Sequence, residues 1–340
     1  PKQGAHANAT STGTGTVGGA KVLTIESMNP NIREMEYAVR GAIPIRAEKL
    51  KEQLKTHPGS LPFKQVTACN IGNPQQLEQK PLTFLRQVSA LMEYTDLLSP
   101  QMIDTTRKLF PEDAIERARR NLSFVGNAVG AYTQSLGIFE VRQDVARFIE
   151  ERDERVIDML VSSPDVGIMI PIPQYPLYTA TLARVNAHAV PYYLQEDKDW
   201  QLSVSDLEHS LAEARAKGTD VRALVVINPG NPTGGCLLES NIAEIVRFCE
   251  RHRLVIMADE VYQTNIYTET NPFVSFKKVV AQLGSDVELF SFHSISKGMI
   301  GECGRRGGYY EAVNIDEKVM GQLLKLASVS LCPNVQGQMA

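Results

Sequence analysis

Between residues 167 and 296, short runs of continuous apolar character alternate with segments of helical period, and no other feature restricts the chain as much. The runs are GIMIPIP (167–173), HAVPYYL (188–194), ALVVINP (223–229), LVIMADE (254–260) and LFSFHSIS (289–296). Among the segments between them are a helical stretch from about Leu177 to Asn186, SVSDLEHSLAEARAKG (203–218) and ESNIAEIVRFCERH (239–252). Ser203 or Ser205 caps the second of these and Gly218 stops it; Ile242, Ile245, Val246 and Cys249 share one face of the third. A strand that is apolar on both faces must be covered on both. The pattern therefore predicts an α/β fold with a mostly parallel sheet between helical layers. In such a sheet ligands bind outside the carboxyl ends of the strands.

The region before the alternation is less regular. From Asn31 to about Pro111 it reads as helical pieces broken at Pro58-Gly59, Asn73-Pro74 and Pro100, with PLTFLRQVSALMEY (81–94) at helical spacing. GIFEVRQDVARFIEERD (137–153) predicts an amphipathic helix with Val141, Val145, Phe148 and Ile149 on one side. Residues 1–25 are rich in Gly, Thr, Ser and Ala and carry no Asp or Glu, as a targeting remnant would; the absence of Arg favours a plain disordered tail. Cytoplasm and mitochondrion both stay open.

A chain of 340 residues can bury one large core or two linked ones. The net charge of −4 gives no reason to expect nucleic acid or an anionic membrane as partner. No apolar stretch approaches the ~20 residues of a membrane span. The five cysteines are scattered, with no C-x-x-C pair, which suits a reducing compartment and points to neither a disulfide frame nor a metal site.

Three segments at strand ends carry chemistry. INPGNPTGG (227–235) forms a tightly turned loop from which Asn231 offers an amide, although Asn, Pro and Gly are also what loops contain. MADEVYQ (257–263) puts Asp259 at the end of a buried strand, where a carboxylate needs a cationic or proton-bearing partner; capping a following helix is the plainer alternative. SFHSISKGMIGECGRRGGYYE (291–311) sets Lys297 after a run of hydroxyl residues and before glycines. A lysine in a crowded site, with its pKa lowered by desolvation or nearby cations, condenses with an aldehyde. Arg305 or Arg306 supplies such a cation and a fork for phosphate. A surface lysine beside a flexible loop is the alternative.

Taken together, S-x-S-K-G followed by G-x-x-x-R-G-G, and preceded by D-E-x-Y and N-P-G-N-P-T-G, resembles the fold-type I aminotransferases, which use pyridoxal 5'-phosphate (PLP). MNPNIREMEYAVRGAIPIRA (28–47), KPLTFLRQV (80–88), IPIPQYPLYTA (170–180), INPGNPTG (227–234) and GECGRRGGYYE (301–311) narrow the resemblance to the alanine aminotransferase branch, from about Val22 onward.

The resemblance implies a tail over 1–25, an N-terminal arm and part of a small α/β domain over 26–115, and a large PLP-binding domain over 116–340. It implies Lys297 as the Schiff-base lysine and proton carrier, and Asp259 as the carboxylate that keeps the pyridine nitrogen protonated. Tyr262 and Asn231 would bond the ring 3-oxygen, Tyr175 would stack on the ring, and Ser294 and Arg306 would hold phosphate. Arg306 is preferred to Arg305 because it directly precedes Gly307-Gly308. Tyr132 would reach the phosphate of the neighbouring subunit, which implies a homodimer, and Gly72 and Asn231 would contact substrate. The implied reaction is ping-pong transamination between L-alanine and 2-oxoglutarate, giving pyruvate and L-glutamate.

The chain also departs from this pattern. Between the helix ending near Asp153 and the strand at Gly167 the family places a strand, a phosphate-binding turn and a helix, and only ERVIDMLVSSPDV (154–166) stands here. An apparent gap near 153–157 predicts weakened cofactor binding and a gap in the sheet. The C-terminal part of the small domain, with its arginine for the substrate carboxylate, is also expected to be missing after LCPNVQGQMA (331–340). Alternatives to the transaminase are therefore an inactive fragment that dimerises onto an intact partner, and another fold-type I PLP enzyme of different amino-acid specificity.

Overall fold

A computed structural model describes residues 24–25, 27–36, 41–69, 71–126, 129–130, 133, 137–146 and 156–329. Its frame is one six-stranded sheet: β1 (Val166–Ile172), β2 (His188–Tyr193), β3 (Asp220–Ile227), β4 (Val255–Asp259), β5 (Leu289–Ser294) and β6 (Gly308–Val313), in the order β2-β1-β3-β4-β5-β6. The first five run parallel and β6 pairs antiparallel with β5. Every residue of β4 is buried, whereas β2 at the edge buries only Val190 and Tyr192, so centre and edge differ in the way their sequences do. The sheet is unbroken from β2 to β6. The gap in the sheet that the sequence predicted is not seen among the described residues, where the six strands form one continuous ladder.

Upstream of the sheet lie α1 (Pro30–Glu34), α2 (Ala42–Thr56), α3 (Thr83–Glu93), α4 (Ile103–Thr106), α5 (Glu112–Phe124), α6 (Phe139–Ala146) and α7 (Val156–Leu160). Val88, Leu91 and Met92 of α3 pack on Ala114, Ile115, Ala118 and Leu122 of α5, a separate small core. Their spacings of three and four put them on one face of each helix. Of the amphipathic helix predicted over 137–153, α6 is described; residues 147–153 lie outside the described residues.

The sheet is covered on both faces. Helices α9 (Val204–Ala216), α10 (Glu239–His252) and α11 (Phe276–Leu283) close one, through a cluster that includes Leu207, Ile242, Ile245, Phe248, Cys249 and Phe276. Helices α8 (Leu177–Val185) and α12 (Glu317–Val329), with α7, supply Tyr178, Leu182, Leu323 and Ile157 to the other. Ser203 is the N-cap of α9, though its hydroxyl meets that of Ser205 rather than a helix N–H. No helix among the described residues is long and apolar enough to cross a membrane.

Phe248 is fully buried between α10 and the sheet. Phe248→Ala is expected to lower stability by about 3–5 kcal/mol, from lost burial plus the cavity left behind. Urea titration checks this as a lower midpoint at unchanged slope.

Candidate active site

Parallel strands deliver their carboxyl ends to one edge of the sheet, and a cavity of about 940 Å³ opens there. Its walls include Gly72, Tyr175, Asn231, Asp259, Tyr262, Ser294, Lys297 and Arg306, which the sequence scatters over more than two hundred residues. Tyr175 follows β1 and Asn231 follows β3, so the two flank the point where the chain order of the sheet reverses. Tyr132 lies outside the described residues.

Asp259 is the last residue of β4, between Ile227 and Phe292 of the flanking strands, and is buried. One oxygen of its carboxylate accepts a hydrogen bond from Tyr178 Oη (2.8 Å) and the other accepts one from the backbone N–H of Val261 (3.4 Å). A turn follows rather than a helix, so the capping alternative falls away. The predicted need for a proton-bearing partner is met in part by Tyr178. The sequence reading did not single that residue out; the available signal was its position three residues after Tyr175, in the first turn of α8. Burial, and then the Asp259 carboxylate, push the Tyr262 phenol above its usual range.

The loop bearing Asn231 is held from within. Asn228 Oδ1 accepts from Leu237 N–H at 2.9 Å, and Gly230 and Gly235 pair through their backbones at 2.8 Å. A Cβ at Gly230 would collide with the Thr233 hydroxyl, which fixes glycine at that position.

Lys297 lies three residues beyond the end of β5. Its ammonium donates to Gly72 O at 2.6 Å, and desolvation lowers its pKa, opposed by nearby Cys303. A methyl group at Gly72 would stand 2.7 Å from Lys297 Nζ, so any larger residue there would displace the lysine tip from this contact. Ser294 Oγ bridges Gly307 O (3.3 Å) and Ser296 N–H (3.1 Å), at the bottom of the same loop. Arg306 adopts a left-handed conformation at φ 56° and lines the cavity, whereas Arg305 turns away to Ser89 and Glu302.

The outer wall of the cavity comes from the N-terminal part of the chain. Besides Gly72, Asn73 Oδ1 accepts from Cys303 Sγ at 3.2 Å. Glu302, 4% exposed, is gripped by both terminal guanidinium nitrogens of Arg86, at 2.6 and 3.2 Å. That hydrogen-bonded cation holds the Glu302 carboxyl below its usual range. Neither Arg86, Glu302 nor Cys303 was singled out from the sequence. Their signals lie inside KPLTFLRQV and GECGRRGGYYE, the segments that carry the family resemblance, where nothing in the pattern marks a contact.

The donor set suits PLP. A buried carboxylate faces a lysine of lowered basicity across one cavity, and a hydroxyl and an arginine lie at the loop after β5. Gln174 Oε1, also at the cavity, is buried with no hydrogen-bond partner. The volume exceeds what a pyridine ring with one phosphate requires.

A family model described as aminotransferase class I and II matches residues 94–340. The chain is 47% identical, over 94% of its length, to a probable mitochondrial alanine aminotransferase of Dictyostelium discoideum, and spans 64% of that protein. It is 43% identical to glutamate–glyoxylate aminotransferase 2 of Arabidopsis thaliana, covering 94% of this chain and 68% of the relative. A solved alanine aminotransferase from Pyrococcus furiosus shares the fold, with a TM-score of 0.65 and 20% identity over 92% of this chain and 69% of that one.

Tyr178→Phe is expected to remove one charge-assisted hydrogen bond from buried Asp259, at a cost of about 1.5–3 kcal/mol. Comparing denaturation midpoints of parent and variant measures that loss.

Proposed function

Because this chain belongs to the class I and II aminotransferases, a PLP-dependent family, we propose that it serves transamination between L-alanine and 2-oxoglutarate, giving pyruvate and L-glutamate. The observation that carries this reading is the convergence of Lys297, Asp259, Tyr262, Asn231 and Arg306 on one cavity. Identities of 46–47% to proteins named alanine aminotransferase support the choice of amino donor.

When bound, PLP supplies an aldehyde that condenses with amines and a ring that draws electrons from the carbon bearing the amino group. The residues of this chain do the rest. Desolvation makes Lys297 easier to deprotonate, so it can act as nucleophile and afterwards carry a proton at Nζ. Asp259, held by Tyr178, presents a carboxylate suited to keep a ring nitrogen protonated. Tyr262 and Asn231 would bond the ring oxygen, Tyr175 would stack on the ring, and Ser294 and Arg306 would hold the phosphate. Gly72 and Asn231 would contact substrate at the mouth. The family role expected of Tyr132, a contact to the phosphate of a neighbouring subunit, makes a homodimer the proposed working form.

A second reading keeps the chemistry and changes the substrate pair, to L-glutamate as amino donor and glyoxylate as acceptor. The 43% identity to a glutamate–glyoxylate aminotransferase, close to the 47% for an alanine enzyme, supports it. Formation of glycine and 2-oxoglutarate from L-glutamate and glyoxylate, compared with formation of pyruvate from L-alanine and 2-oxoglutarate, distinguishes the two.

The purified chain with added PLP is expected to develop a visible absorption band that L-alanine changes, with pyruvate appearing once 2-oxoglutarate is present. Lys297→Ala is expected to abolish that band, and a retained band overturns the role of Lys297. Asp259→Ala is expected to bind PLP yet lose rate by roughly 10²–10³-fold, as when a preorganised charge is removed; turnover like the parent's removes Asp259 from the mechanism.

A further inference from the structure

Two stretches more than two hundred residues apart meet beside Lys297, and almost everything that joins them is polar. Gln75 Nε2 donates to Gly301 O (3.5 Å), Gln79 Nε2 to Met299 O (3.4 Å), Cys303 Sγ to Asn73 Oδ1 (3.2 Å) and Arg305 Nη1 to Ser89 Oγ (3.2 Å). Arg86 sits among them, with both nitrogens on Glu302 and one also on Gln75 Oε1 (3.4 Å).

The segment that forms the cavity wall has little else to hold it. Residues 74–77 bury no side chain, Leu77 is 68% exposed and Ile71 lies at the surface. A segment without an apolar anchor keeps its place only through directed contacts, and the strongest one here is the bidentate pair on a buried carboxylate. Helix α3 carries Arg86 and is itself anchored by Val88, Leu91 and Met92, so the arginine is presented from a fixed support. Glu302 lies five residues beyond Lys297, on the loop that also carries Arg306.

We propose that Arg86 and Glu302 are positioning residues. Their clasp holds Gly72 and Asn73 against Lys297 and so sets how much room the cavity leaves for an amino-acid side chain. The proposal rests on the transaminase reading for its substrate, but the placement of the wall does not. With the clasp closed, Gly72 O orients Lys297 Nζ and the wall crowds the substrate pocket, which favours a short side chain such as that of alanine. With it open, the lysine loses that acceptor and larger side chains gain entry. The two sequence marks KPLTFLRQV and GECGRRGGYYE are then the two halves of one clasp.

Cys303 reports the state of this wall, because its thiol donates to Asn73. In the full chain without PLP, thiol alkylation followed by peptide mass mapping gives the rate at that one cysteine. Glu302→Gln is expected to raise the Cys303 rate about tenfold or more, since the charged two-pronged contact with Arg86 is lost. Arg86→Lys keeps the charge and loses the fork, so an intermediate rate is expected. The double variant should react no faster than Glu302→Gln alone, because both changes break one contact. With PLP, the same variants are expected to raise KM for L-alanine more than they lower kcat, and to narrow the preference for alanine over phenylalanine.

Unchanged Cys303 labelling in both single variants, with circular dichroism like the parent's, overturns the clasp. Should Glu302→Gln fail to fold, Arg86→Lys and Gln75→Ala carry the same comparison from the exposed side. If labelling rises but neither the parent nor the variants act on alanine, the clasp stands and the transaminase reading fails.

Discussion

Five strands running in one direction put five carboxyl ends on one edge, and the site depends on that constraint. Asp259 and Ser294 are themselves the last residues of β4 and β5. Tyr175, Tyr262 and Lys297 follow their strands by three residues and Asn231 by four. No long loop has to find its way to the cavity, because the hydrogen-bond registers of β3, β4 and β5 fix where each loop begins. The apolar layers beneath, with Phe248, Ile245 and Phe276 on one side and Leu182 and Ile168 on the other, matter to the chemistry because they hold those registers.

Much of this was legible in the sequence because each core strand is covered on both faces and so reads as a continuous apolar run. The helix over 239–252 has the predicted ends, and the five parallel strands fall where the runs are. What escaped has physical reasons. β6 sits at the sheet edge with one residue buried, starts within the Gly307-Gly308 pair, and lacks the unbroken apolar character of the others. Helix α11 is only eight residues long, yet Phe276, Val279 and Val280 share a face between a Ser275 cap and Gly284, a signal that could have been used. The expected gap in the sheet is not seen among the described residues, because the hydrogen-bonded ladder runs without interruption from β2 to β6.

The site itself divides in the same way. Residues at strand ends could be named from motif and position together, and the cavity collects Gly72, Tyr175, Asn231, Asp259, Tyr262, Ser294, Lys297 and Arg306. Tyr178 and the Arg86–Glu302 pair could not, because their importance lies in a partner rather than in a pattern. A tyrosine in a helix and an arginine on another are ordinary until Asp259 and Glu302 are seen beside them. Buried carboxylates are the better clue: each demands donors, and counting those demands from the sequence would have prompted a search for both partners.

The long separations in that outer wall have a consequence for how the protein comes into being. Contacts from 72–89 to 297–305 span 216 to 230 residues, so the wall emerges from the ribosome early and waits for its other half until most of the sheet has been made. At a synthesis rate of about 5–20 residues per second, that interval is on the order of ten seconds or more. During it Arg86 has no Glu302 to meet, and α3 and α5 can pair with each other but not with the sheet. The two halves of the cavity wall can therefore meet only after all five parallel strands have been synthesised.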